Sequence, residues 1–141
     1  MNKVLTSRVL MYLLGIAATV LFLVLFSAFD AEAKVIELKS SDQVRLELGK
    51  PGPIVLLYGA DWCPACQQYH PKYDKLSKTM LNVRFYYMNI DRIQIKDHAH
   101  KFSYIPAIFA GKDKASLMNS DVYSPTGEAD TKEFIKKQLA K

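Results

Sequence analysis

Two cysteines stand two residues apart in the run Trp62-Cys63-Pro64-Ala65-Cys66. Thiols at this spacing can close a small disulfide when the first sits at a helix N-terminus. The unpaired amides and the helix dipole there favour the thiolate. Cys63 is placed for this, and a lowered thiol pKa makes it both attacking nucleophile and good leaving group. Pro64 falls early in the helix, where its missing N–H costs nothing. Cys66 lies nearly one turn further in, less exposed, where it acts as the resolving thiol.

Other uses of the pair fare worse. Half of a zinc site needs further ligands, but there is no third cysteine, and His70, His98 and His100 show no tidy spacing with the pair. Attachment of a c-type haem needs His after the second Cys, where Gln67 stands. A purely structural bridge across so short a loop removes little entropy from the unfolded chain. No metal and no cofactor is expected.

The elements that must position the pair follow from pattern. Lys34 to Leu38 reads as a short strand, and Ser40 or Ser41 caps a helix through about Leu48, stopped by Gly49-Lys50-Pro51-Gly52-Pro53. Ile54 to Tyr58 is a continuous apolar run suited to a central strand. The Cys pair then opens a helix to about Met80, with Tyr69, Tyr73, Leu76 and Met80 on one stripe and Pro71 inside it. Val83 to Ile90 is a second strand, with Val83, Phe85 and Tyr87 alternating against Arg84, Tyr86 and Met88. A short helix is expected over Ile93 to Phe102. A strand from Ala107 to Ala110 follows, then a return strand over Leu117 to Tyr123. A last helix is capped by Asp130 or Thr131, with Phe134, Ile135 and Leu139 on one face. The pattern is α/β, closed by a hairpin and a covering helix.

Residues 1–33 stand apart. Val9 to Phe29 carries no charged side chain, Lys3 and Arg8 precede it, and charges of both signs follow. The run is long enough to cross a hydrocarbon core of ~30 Å, and the positive-inside bias puts everything after it across the membrane. Two readings stay open: a signal peptide cleaved after Ala31-Glu32-Ala33, or an uncleaved N-terminal transmembrane anchor. Both place residues 34–141, one domain, outside the cytoplasm. Those residues hold 17 basic and 12 acidic side chains, so the net charge of +5 lies in the domain. That is too mild a bias to argue for nucleic acid.

The run Trp62-Cys63-Pro64-Ala65-Cys66 resembles the W-C-x-x-C active site of the thioredoxin superfamily. Pro71 resembles the kink proline of that family's active-site helix, Asn89-Ile90-Asp91 its N-I-D strand end, and Ile105-Pro106 its Ile-Pro with a cis proline facing the disulfide. The resemblance covers Val35 to Lys141. It implies a thioredoxin-like fold: a central mixed β-sheet flanked by helices, here preceded by one N-terminal hydrophobic helix. It also implies that Trp62 and Pro64 contact substrate, and that Tyr104, Ile105 and Pro106 form an edge that docks a peptide strand. The family's buried Asp, the proton acceptor for the second thiol in its cytosolic reductants, is replaced by Leu57, and a nearby lysine by Tyr87. The stretch Ala60-Asp61-Trp62-Cys63-x-Ala65-Cys66 is similar to the reductase domain of bacterial transmembrane thiol–disulfide interchange reductases.

The function implied is an extracytoplasmic thiol–disulfide oxidoreductase working on protein thiols and disulfides in the reducing direction. It would use a membrane redox partner and the membrane attachment of its N-terminal segment. No retention signal closes the chain at Leu139-Ala140-Lys141, which favours a bacterial periplasm. The alternative is a thioredoxin-like binding module, a metal carrier or assembly chaperone, with the Cys pair as ligand. Among smaller features, Asp61 reads as a solvated turn residue and Trp62 as a shield for the disulfide. His70, four residues after Cys66, reads as a surface or half-buried side chain.

Overall fold

A computed structural model of the chain describes residues 11–13, 15–20, 34–93 and 102–141. The chain divides into two units, residues 1–32 and 33–141. In the first, residues 11–13 and 15–20 are helical and exposed. Among the described residues no helix is long and apolar enough to cross a membrane. Most of the Val9–Phe29 run, and the Ala31-Glu32-Ala33 site, lie outside the described residues.

The second unit is built on four strands: β1 (Ile36–Leu38), β2 (Ile54–Gly59), β3 (Arg84–Asn89) and β4 (Ala107–Gly111), in the order β1-β3-β2-β4. The first three in that order run parallel, and β4 runs antiparallel to β2. Among the described residues, four helices pack on the sheet: α1 (Ser41–Gly49), α2 (Pro64–Thr79), α3 (Lys114–Met118) and α4 (Glu128–Leu139).

Register decides which side chains meet. Val55, Leu57 and Gly59 of β2 lie level with Phe85, Tyr87 and Asn89 of β3. On this face the apolar side chains pack with Tyr69, Tyr73 and Leu76 of α2 and Ile135 of α4. Leu56 and Tyr58 lie level with Tyr86 and Met88 and face Val44 and Leu48 of α1 and Leu117 of α3. The alternation read in residues 83–88 is therefore not one of buried against exposed. Tyr86 and Met88 are as deeply buried as Phe85, because a central strand covered by helices on both sides has no solvent face.

Local chemistry sets the helix ends. The Ser40 hydroxyl accepts the Gln43 N–H at 3.2 Å and caps α1. Arg84 fixes the loop after α1 by donating to the carbonyls of Glu47, Lys50 and Gly52. The α2 helix continues through Pro71 to Thr79. The Tyr73 hydroxyl, buried beneath it, shares its proton between the carbonyls of Tyr86 (2.9 Å) and Val55 (3.2 Å).

The end of the chain departs from expectation. The return strand read over Leu117–Tyr123 is instead the short helix α3 and an irregular segment, of which Tyr123 alone bridges antiparallel to Ile108. Asp113 caps α3 by accepting both the N–H and the hydroxyl of Ser116 at 2.7 Å. The turn seats Leu117 in the core against Gly111, where an added Cβ would lie 2.2 Å from the Leu117 nitrogen. The last helix also begins earlier than Asp130, at Glu128 with Gly127 as cap. Thr131 lies inside its first turn, its hydroxyl donating to the Gly127 carbonyl at 2.6 Å. Of the helix expected over Ile93–Phe102, the residues between those two ends lie outside the described residues.

Candidate active site

The C-terminal end of β2 delivers the chain into Ala60-Asp61-Trp62 and then into α2, whose cap is Cys63 and whose first residue is Pro64. Cys63 and Cys66 form a disulfide, with Cα atoms 5.2 Å apart. The Cys66 backbone N–H donates to Cys63 Sγ at 3.2 Å. That amide is one of those a helix leaves unpaired in its first turn. It points at the sulfur that must carry negative charge when the disulfide opens, which is the arrangement that stabilises a thiolate.

Both cysteines are buried, and they pack with Ala60, Ile90 and Ile105. The Ile105–Pro106 peptide bond is cis, as the resemblance implies, and the Ile105 carbonyl oxygen lies 3.9 Å from Cys63 Sγ. Pro106 is buried, Ile105 half-buried, and Tyr104 exposed beside it. Pro64 and Ala65 are exposed on the first turn of α2. Trp62 is 65% exposed, its indole N–H donating to Asp91 Oδ2 at 2.8 Å. The structure thus brings Cys63, Cys66 and Ile105 together and leaves Trp62, Pro64 and Tyr104 at the surface around them.

The two sulfurs differ in surroundings. Cys66, and not Cys63, lines a cleft of about 950 Å³ on the β1 side of the molecule. Arg92 ties this side together: one guanidinium nitrogen lies 2.6 Å from Glu37 of β1 and the other 2.9 Å from Asp61. Asp61 is therefore paired, although it remains largely solvated. Tyr87 also lines it and packs against Gly59. A Cβ at Gly59 would lie 2.9 Å from Tyr87 Cε2, 3.3 Å from its hydroxyl and 3.5 Å from Cys66 Cβ. Burial, and then the negative charges of Asp61 and Glu37, push the Tyr87 phenol upward and keep it protonated. Leu57, where the family's cytosolic reductants carry a carboxylate, is fully enclosed in the apolar cluster. Sequence reasoning missed Arg92 and Glu37 as neighbours of the site, since the Arg92 pairs join positions 55 and 31 residues apart.

A parallel sheet with an antiparallel edge, a cysteine pair at a helix start and a cis proline beside it are the marks of the thioredoxin fold. The chain belongs to the thioredoxin family: the family model described as Thioredoxin matches residues 35–140. It is similar to thioredoxin Asp f 28 of Aspergillus fumigatus, 32% identical over 50% of this chain and 65% of the relative. The chain thus spans less than two thirds of that relative's length. It is also similar to a thioredoxin of Geodia cydonium, 32% identical over 60% of this chain and 77% of the relative. Among solved structures, the thioredoxin of Malassezia sympodialis superposes with a TM-score of 0.64, covering 75% of this chain and 91% of its own at 18% identity. At that identity the likeness speaks for the fold.

Proposed function

We propose that the protein is an extracytoplasmic thiol–disulfide oxidoreductase that reduces disulfides in protein substrates, either secreted or held at a membrane by its N-terminal segment. The observation that carries the activity is the Cys63–Cys66 disulfide at the start of α2, with the Cys66 amide on Cys63 Sγ. In the reducing direction the Cys63 thiolate attacks a substrate disulfide and expels one substrate thiolate. Cys66 then attacks Cys63 Sγ, expels the second, and closes the disulfide. The Ile105 backbone beside Cys63 offers an edge on which an extended substrate can lie.

The location rests on the uncharged Val9–Phe29 run behind Lys3 and Arg8. A bacterial periplasm fits it, and a reductase there draws electrons from a membrane redox partner. The direction rests on Ala60-Asp61-Trp62-Cys63-x-Ala65-Cys66. The deciding experiment is the redox equilibrium with glutathione: a potential near ~−270 mV marks a reductase, and one near ~−120 mV an oxidase. Failure of a Cys66→Ala variant to accumulate reducible adducts with other proteins refutes the exchange mechanism. An alkaline phosphatase fusion after Lys141 that stays inactive in bacteria refutes the extracytoplasmic location.

A further inference from the structure

For Cys66 to attack Cys63 Sγ, its thiol must lose a proton, and Leu57 stands where a carboxylate would take it. The cleft is the side on which Cys66 meets other polar groups, and its lining supplies the candidates. Lys34 and Lys39 on the β1 side carry ammonium groups, which donate but do not accept. Arg92 likewise only donates. Glu37 and Asp61 are carboxylates already occupied by Arg92 at 2.6 and 2.9 Å, and both reach solvent, where a carboxylate stays a weak base. Tyr87 on β3 is a protonated phenol.

One lining group remains. His70 is the sole histidine among the described residues, and an imidazole is the side chain that offers a free lone pair near neutral pH. It stands four positions after Cys66 on α2, so the two side chains project from one helix face with Cβ atoms about 5–6 Å apart. Its ring meets the Tyr87 ring edge-on, centroids 5.0 Å apart. Tyr87 in turn shares the Gly59 surface with Cys66. Cys66, Tyr87 and His70 thus form one wall of a cleft whose volume, about 950 Å³, accommodates several waters at ~30 Å³ each.

We propose that His70 is the proton acceptor for Cys66, through water in this cleft. The assignment rests on the oxidoreductase reading above and fills the place that Leu57 leaves vacant. In the resolving step the Cys66 S–H proton passes to the imidazole. The Cys66 sulfur bonds to Cys63 Sγ, the bond from Cys63 to substrate sulfur breaks, and the substrate leaves as a thiolate. The imidazolium then returns its proton to that thiolate or to solvent. In the opposite direction it protonates Cys66 as the internal disulfide opens.

The test is a single turnover of the reduced full-length protein with dithiobis(nitrobenzoate). Attack by Cys63 releases the first thionitrobenzoate, and resolution by Cys66 releases the second. In His70→Gln the first release keeps its rate. The second slows by about 10²-fold, the lower end for general acid–base catalysis, and imidazole added to the buffer restores it. His70 is exposed, so the variant retains the fold. An unchanged second release, equal slowing of both, or slowing that imidazole does not relieve overturns the assignment. Failure of the parent reading looks different: the unsubstituted protein then releases no second thionitrobenzoate at all.

Discussion

Adding one methyl group at Gly59 tests how tightly the site is packed. The added Cβ would lie 2.9 Å from Tyr87 Cε2, where carbon atoms prefer about 3.5–4.0 Å. The Tyr87 ring must therefore retreat by several tenths of an ångström. Overpacking of this kind costs about 1–3 kcal/mol. Replacing a strand glycine by alanine returns roughly 0.5–1 kcal/mol of backbone entropy. Gly59→Ala is thus expected to destabilise the domain by about 1–2 kcal/mol, a fall in Tm on the order of 4–8 °C per kcal/mol for a domain of this size. Urea unfolding of Gly59→Ala, Tyr87→Ala and the double variant measures it. Once the Tyr87 ring is gone, the next atom that the added methyl meets is Cys66 Cβ at 3.5 Å, an ordinary contact, so in that background Gly59→Ala should be neutral or stabilising. Equal costs of Gly59→Ala in the two backgrounds would refute the argument, because the clash would then not be with Tyr87.

Other consequences follow from buried hydroxyls and the exposed rim. Tyr73→Phe removes the proton shared by the Tyr86 and Val55 carbonyls and is expected to cost about 1–2 kcal/mol in urea unfolding. Burial pushes the Tyr69 phenol up to about 12. Its folded-state pKa is above the unfolded value of ~10, so the unfolded chain releases this proton first and stability falls as pH rises from about 10 to 12. Tyr69→Phe should lessen that alkaline decline in a series of urea melts, the remainder coming from other buried tyrosines such as Tyr58 and Tyr73. Trp62→Ala, at a side chain 65% exposed, should leave Tm nearly unchanged yet raise KM in insulin reduction. A KM equal to that of the unsubstituted protein removes Trp62 from the substrate surface.

The parts of this fold that a reader of the sequence recovers are those written in adjacent residues. The cysteine pair, the apolar run of β2, the tyrosine stripe of α2 and the Ile105-Pro106 step are local signals, and each stands where its pattern puts it. The region after β4 shows where locality ends. Leu117 to Tyr123 has a strand-like composition, but Asp113 captures Ser116 and Gly111 admits Leu117 against its backbone. A five-residue helix results that propensity alone does not demand. The cleft beside Cys66 is illegible for the same reason at longer range. Glu37, Asp61 and Arg92 come from β1, the active-site turn and the segment after β3, and only the parallel pairing of β1 with β3 and of β3 with β2 brings them into one network.

That network clarifies why the two sulfurs of one short loop take different roles. Cys63 receives an amide hydrogen bond and lies beside the Ile105 carbonyl, so its side of the disulfide is arranged for holding charge and for meeting a peptide backbone. Cys66 has as its outlet a cleft of polar and titratable side chains. A thiol that must be released as an anion profits from fixed dipoles, whereas one that must be deprotonated on demand profits from a nearby base and water. Placing the cysteines three positions apart across a helix start supplies both environments at once, because the first caps the helix and the second already lies within its first turn. The asymmetry also orders the reaction. On the proposed mechanism, substrate engages at Cys63, where the backbone edge is, and the proton leaves from Cys66 on the other side, so neither event obstructs the other.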